Sequence, residues 1–174
     1  MTDASDAPDE HRRASAFRPV LVAWMLTVGV DLFFNAGLFS GLFEQSREPS
    51  LLADEVLFRR IPVAYLGLAV GVTALAWLID RLGAVGMRRG AALGAGAGVV
   101  VAFLGVIGLW TAIDITGVFV WAAVLVHVLE LGLAGGFLGA YRAAPDGRRS
   151  IRIALIVSVA LAVLGIVIQN LLPG

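Results

Sequence analysis

Four polar side chains stand out because the residues around them are apolar: Asp31 and Asn35 in one stretch, His127 and Glu130 in another. Spacings of four and three residues put each pair on one face of a helix. Carboxyls in an apolar medium are expensive, so they face a bundle interior and mark proton or cation chemistry by default. Two facing acids in low dielectric cannot both ionise cheaply, so such a pair is expected to hold a proton. His127 can accept that proton or carry it as imidazolium. The same oxygens and nitrogens could bind a divalent metal, but no dense ligand motif accompanies them. Against these readings stands polar glue: Asp31 bonded to Asn35, and Glu130 to His127, only to hold helices together.

The elements that must position these residues follow from the apolar runs. The chain is 59% hydrophobic and 15% charged, with a mean hydropathy of +0.91, whereas soluble domains carry about a quarter charged residues. Five stretches, at about 19–43, 61–79, 91–113, 117–141 and 151–172, each approach or exceed the roughly 20 residues that cross a bilayer core. The expected fold is an all-α integral membrane protein, a bundle of five transmembrane helices in one domain over 18–174. Residues 1–17 are polar and mixed in charge, which predicts a disordered tail. Pro19 and Pro62 are expected at or near helix starts, where a missing N–H costs nothing. Asp114-Ile115-Thr116 alone separate the third and fourth spans, which makes those two an antiparallel hairpin.

Arginine sets the direction. With the N-terminus inside, ten arginines lie on the inner side (12, 13, 18, 81, 88, 89, 142, 148, 149 and 152) and three outside (47, 59 and 60). Basic residues in short loops favour the cytoplasm, so the N-terminus is expected in the cytoplasm and the C-terminus outside it. Counting roughly 1.5 Å per residue from the cytoplasmic ends puts Asp31 at about 18 Å and Glu130 at about 16 Å, with Asn35 and His127 about one turn further out. Two carboxyls thus share a level, provided the first and fourth helices are neighbours. The outer loop, 44–60, contains Ser50 to Phe58, which reads either as an interfacial helix capped by Ser50 or as an early start of the second span. Arg59 and Arg60 read as interfacial anchors, and Trp24, Trp77, Trp110, Trp121, Tyr65 and Tyr141 as belt residues near span ends.

Glycine governs how these helices can pack. Gly90, Gly94 and Gly98 make two overlapping GxxxG steps on the third helix, and the fourth carries Gly132 with Gly136 and Gly135 with Gly139. Small residues four apart let backbones approach, and in lipid such packing replaces the hydrophobic drive. This serves either the bundle itself or a homo-oligomer through the third helix.

The chain lacks Cys, which removes thiolate metal sites and cysteine nucleophiles. Its formal net charge of +0 argues against a nucleic-acid partner. No nucleophile elbow, phosphate loop, HExxH or dinucleotide fingerprint occurs, so no enzymatic activity, cofactor or metal is expected. The partner is the lipid bilayer, and the expected location is a bacterial cytoplasmic membrane. The leading expectation is a small proton- or cation-coupled transporter or permeation subunit working through Asp31 and Glu130. A non-catalytic accessory protein is the alternative, and a membrane enzyme with its acids facing an outer cavity is a third reading.

Overall fold

A computed structural model describes residues 7–40, 54–108, 117–144 and 147–171, and all regular structure among them is helical. Helix α1 (Ala7–Asp31) continues as a π-helical segment, Leu32–Leu38. Then come α2 (Asp54–Leu82), α3 (Met87–Ala102, extended as a π-helix over Phe103–Ile107), α4 (Gly117–Ala143) and α5 (Arg148–Leu171). Each of the five includes a stretch long and apolar enough to cross a membrane. Large apolar side chains such as Leu66, Val70, Ile156 and Val163 lie exposed on the outside. In water that surface would be a liability; in a multi-pass membrane protein it meets lipid tails.

The helices outrun their apolar stretches. α1 begins at Ala7, within the segment expected as a tail, and α2 begins at Asp54. Residues 54–58 therefore belong to the second span's own helix, whereas 50–53 and the turn at 114–116 lie outside the described residues. Pro19 and Pro62 consequently stand inside helices, not at their starts. A helix satisfies its backbone locally, so the end of an apolar run does not end it. Each proline leaves one carbonyl four residues back without its helical donor, and both fall near the polar end of a span.

α4 is the central element, packed against each of the other four helices. The closest pairing is α3 with α4. A Cβ on Gly90 would fall on the Gly135 carbonyl oxygen, one on Gly94 on that of Leu131, and one on Gly98 would come 2.5 Å from that of His127. The antiparallel hairpin thus closes with backbone against backbone. On α4, the close approach belongs to Gly135 and Gly139. Gly132 and Gly136 lie beside it, facing the side chains of Ala95 and Ala91 at 3.6 and 3.3 Å. The glycine face of α3 is filled by α4 of the same chain.

A second small-residue seam joins α1 to α5. Cβ atoms on Gly29 and Gly165 would come within 2.6 Å of the Ser158 carbonyl and 2.5 Å of the Leu32 carbonyl. Ser158 Oγ donates to the Met25 carbonyl at 2.6 Å. The buried core fills one half of the bundle, with Val22, Leu26, Val72, Ile79, Phe137 and Leu138 among its members. That half carries the α2–α3 turn. At the same end Arg142 makes a fork to Asp80, Nε to Oδ1 at 2.6 Å and Nη2 to Oδ2 at 2.8 Å, which ties the last turn of α4 to that of α2.

The α2–α3 turn is a Schellman closure. Ala84 N–H donates to the Ile79 carbonyl at 3.0 Å and Gly83 N–H to that of Asp80 at 3.4 Å, with Gly83 at φ +61°. Only glycine takes that conformation without strain. We expect Gly83→Ala to lower stability by about 1 kcal/mol, read as a lower midpoint in thermal denaturation of the detergent-solubilised protein. An unchanged midpoint would mean that the turn relaxes freely.

Candidate functional site

The half of the bundle opposite the core is looser. Along α2 no residue from Ile61 to Gly71 is buried, while Val72, Leu75, Ala76 and Ile79 are. The space left between this stretch and α1, α3 and α4 is a cavity of about 600 Å³. Asp31, Asn35, Tyr65, His127 and Glu130 all line it, against a wall that includes Leu32, Leu68 and Val101.

The polar groups are organised around Asp31, the last α-helical residue before the π segment. Asn35 Nδ2 donates to Asp31 Oδ1 at 2.5 Å, and the Tyr65 hydroxyl donates to Oδ2 at 2.9 Å. Donors from the π segment and from α2 therefore converge on one carboxyl. Glu130 faces the same space from α4. Tyr65 is itself held, because its carbonyl accepts from Trp24 Nε1 at 3.0 Å. The π turn carries Asn35 and is closed by Phe39 N–H to the Phe34 carbonyl at 2.7 Å. Such turns accompany functional sites often, since they swing side chains off the α-helical register at a local cost in hydrogen-bond geometry.

Glu130 is the most enclosed ionisable group here, at 2% exposure. His127 stands one turn before it, with Nδ1 3.6 Å from Glu130 Oε2. That is beyond a hydrogen bond, and Nδ1 is buried without any such partner among the described residues. An orphaned buried ring nitrogen calls for an explanation; one facing a carboxyl is placed to exchange a proton with it. Among the described residues, no group of three or more His, Cys, Asp or Glu is arranged to hold a metal ion.

All four polar residues singled out by spacing thus line one cavity. Asp31 and Glu130 share that lining, while Asn35 turns to Asp31 and His127 turns toward Glu130. Sequence reasoning missed Tyr65 and Trp24, which it assigned to the interfacial belt. The correction has a physical basis: a phenol or an indole in an apolar run needs a hydrogen-bond partner, and here the bundle supplies it before the interface does. It also missed the cavity wall, where Cβ atoms on Gly67 and Gly71 would meet nothing. Their spacing of four matches the glycines on α3, but one set fills a contact and the other leaves a space.

Comparison with protein-family profiles, with curated proteins and with solved structures finds no match to this chain.

Proposed function

We propose that the protein is a small proton- or cation-coupled transporter, or the permeation subunit of one, with Asp31 and Glu130 as its exchanging groups. The observation that carries this reading is that both carboxyls line one cavity within the span region of the bundle. Two carboxyls in one largely apolar cavity cannot both ionise cheaply, so the pair is a place to keep, release or exchange a single positive charge. His127 supplies a nearby base, and Asn35 and Tyr65 hold Asp31 in place. The arginine distribution supports a cytoplasmic N-terminus in a bacterial cytoplasmic membrane, which opens the looser half toward the outside. No step of this reading requires bond-making chemistry.

The test is flux. Purified protein in proteoliposomes with an imposed pH gradient is expected to dissipate it, followed by an internal pH dye. Asp31→Asn and Glu130→Gln, inserted and folded as well as the parent, are expected to abolish that flux. Variants that are folded yet conduct as the parent does would rule out the acids as the exchanging groups.

One observation favours a second reading. Both Asp31 oxygens already accept internal bonds, as they would in a bundle that uses polar residues only to lock α1, α2 and α4 together. In that case both substitutions destabilise the protein and no gradient-coupled flux exists to lose.

A further inference from the structure

Resting on the transport reading, we propose that the cavity between α1, α2, α3 and α4 binds an organic monocation, one positive nitrogen or phosphonium carried on an apolar body. The inference deepens that reading by naming what the acids would exchange for a proton.

Three features of the cavity converge on this class. The first is charge. The titratable groups facing the space are Asp31 from α1, Tyr65 from α2, and His127 and Glu130 from α4; α3 contributes Val101 and α5 does not line it. No Arg or Lys is among them, and the chain contains no Lys at all. When both carboxyls ionise, His127 is, among the described residues, the one lining side chain able to take up a positive charge, and one imidazolium does not balance two carboxylates, so the remaining charge must come from a ligand. An anion would meet two carboxyls, with the Asn35 and Tyr65 donors already committed to Asp31.

The second is composition. Beyond the polar corner the lining is apolar, with Leu32, Ile61, Leu68 and Leu131 among its side chains. A small inorganic cation needs about six oxygen ligands to replace its water, and of the side-chain oxygens that Asp31, Glu130, Asn35 and Tyr65 bring to the lining, both of Asp31's already accept internal hydrogen bonds. A cation wrapped in hydrocarbon needs fewer, because it sheds little water and the walls accept its body.

The third is room. About 600 Å³ falls within the roughly 300–1,000 Å³ of pockets for drug-sized molecules, far beyond one bare ion. The wall at Gly67 and Gly71 has nothing within 4 Å of where a Cβ would stand, so these glycines leave the space open instead of packing it.

The test compares two ions of one shape and opposite charge, tetraphenylphosphonium and tetraphenylborate, by calorimetry on the full chain in nanodiscs. Tetraphenylphosphonium is expected to bind saturably at one site per chain, and tetraphenylborate not to bind saturably. Asp31→Asn with Glu130→Gln should weaken the cation by roughly tenfold or more, the loss of one charge-assisted contact. Gly71→Leu leaves every acid in place and fills the wall, so it should weaken binding as well; it serves if the acid variants fail to fold. Equal binding of both ions, or cation binding untouched by both kinds of variant, overturns the proposal. The two readings fail separately. Acid-dependent proton flux without tetraphenylphosphonium binding leaves the transporter standing and sinks the organic cation. Saturable, acid-dependent tetraphenylphosphonium binding without any gradient-coupled flux does the reverse.

Discussion

Replacing Gly94 by valine should keep α3 and α4 from closing on each other and strip the purified protein of most of its stability. A Cβ at this position falls on the Leu131 carbonyl oxygen. The atom beneath it is backbone of the central helix, which cannot rotate away as a side chain would. Overpacking in a close-packed interior costs about 1–3 kcal/mol even where side chains can yield, so about 3 kcal/mol or more is expected here. Gly96 is the internal control, two residues along the same helix with nothing within 4 Å of its Cβ position. Gly96→Ala should be neutral or slightly stabilising, since alanine is the better helix former by about 1 kcal/mol. Denaturant titration of both variants in detergent, followed by helical circular dichroism, decides the matter. A Gly94→Val protein as stable as Gly96→Ala would refute the backbone-contact account. The same experiment bears on assembly. If α3 used this face for a second copy, Gly94→Val would yield a folded monomer, whereas packing within the chain yields an unfolded one.

The second large effect should come from Asp31→Leu. Removing this carboxyl leaves the Tyr65 hydroxyl and the Asn35 amide without their partner. Leaving a buried polar group unpaired costs about 1–3 kcal/mol, and more than one group is orphaned here. Tyr65→Phe removes a single donor and should cost less. Because the two residues share a bond, their effects should not add: the double variant is expected to be more stable than the sum predicts by roughly 0.5–2 kcal/mol. Four denaturation curves suffice to measure this. Strict additivity would show that the Tyr65–Asp31 bond does not hold α2 to α1. Tyr65→Phe is also informative for transport, since it frees one Asp31 oxygen while keeping both acids.

Particular residues show where the sequence was sufficient. Asp31 and Glu130 lie near the middle of apolar runs of known length, and opposite chain directions with a fixed rise per residue give them one expected depth, which their common cavity fits. Depth in a membrane helix is nearly a one-dimensional quantity, so counting reaches it. The α3–α4 hairpin was equally accessible, because three residues between two long apolar runs leave no other arrangement. Tyr65 was not. Its position near the start of a span is compatible with a belt or an interior role, and the choice depends on how α2 is rotated about its own axis. That rotation is set by Val72, Leu75, Ala76 and Ile79 packing into the core and by the Asp80–Arg142 fork, both long-range contacts. Nor could spacing separate Gly90, Gly94 and Gly98, which meet backbone, from Gly67 and Gly71, which meet nothing.

Composition and periodicity by themselves therefore determined the five apolar helices and which polar residues interrupt them. These are properties of single helices and need no partner to define them. Helix ends were less well determined, because backbone hydrogen bonding carries α1 and α2 past their apolar limits and puts Pro19 and Pro62 inside. Tertiary structure alone decided that α1 and α4 are neighbours, so that two acids from separate helices line one cavity. It also decided that α2 leans into the core at one end and stands off at the other, which leaves the cavity those acids face. A side chain's depth is written along one helix, but its partner is chosen by the packing of several.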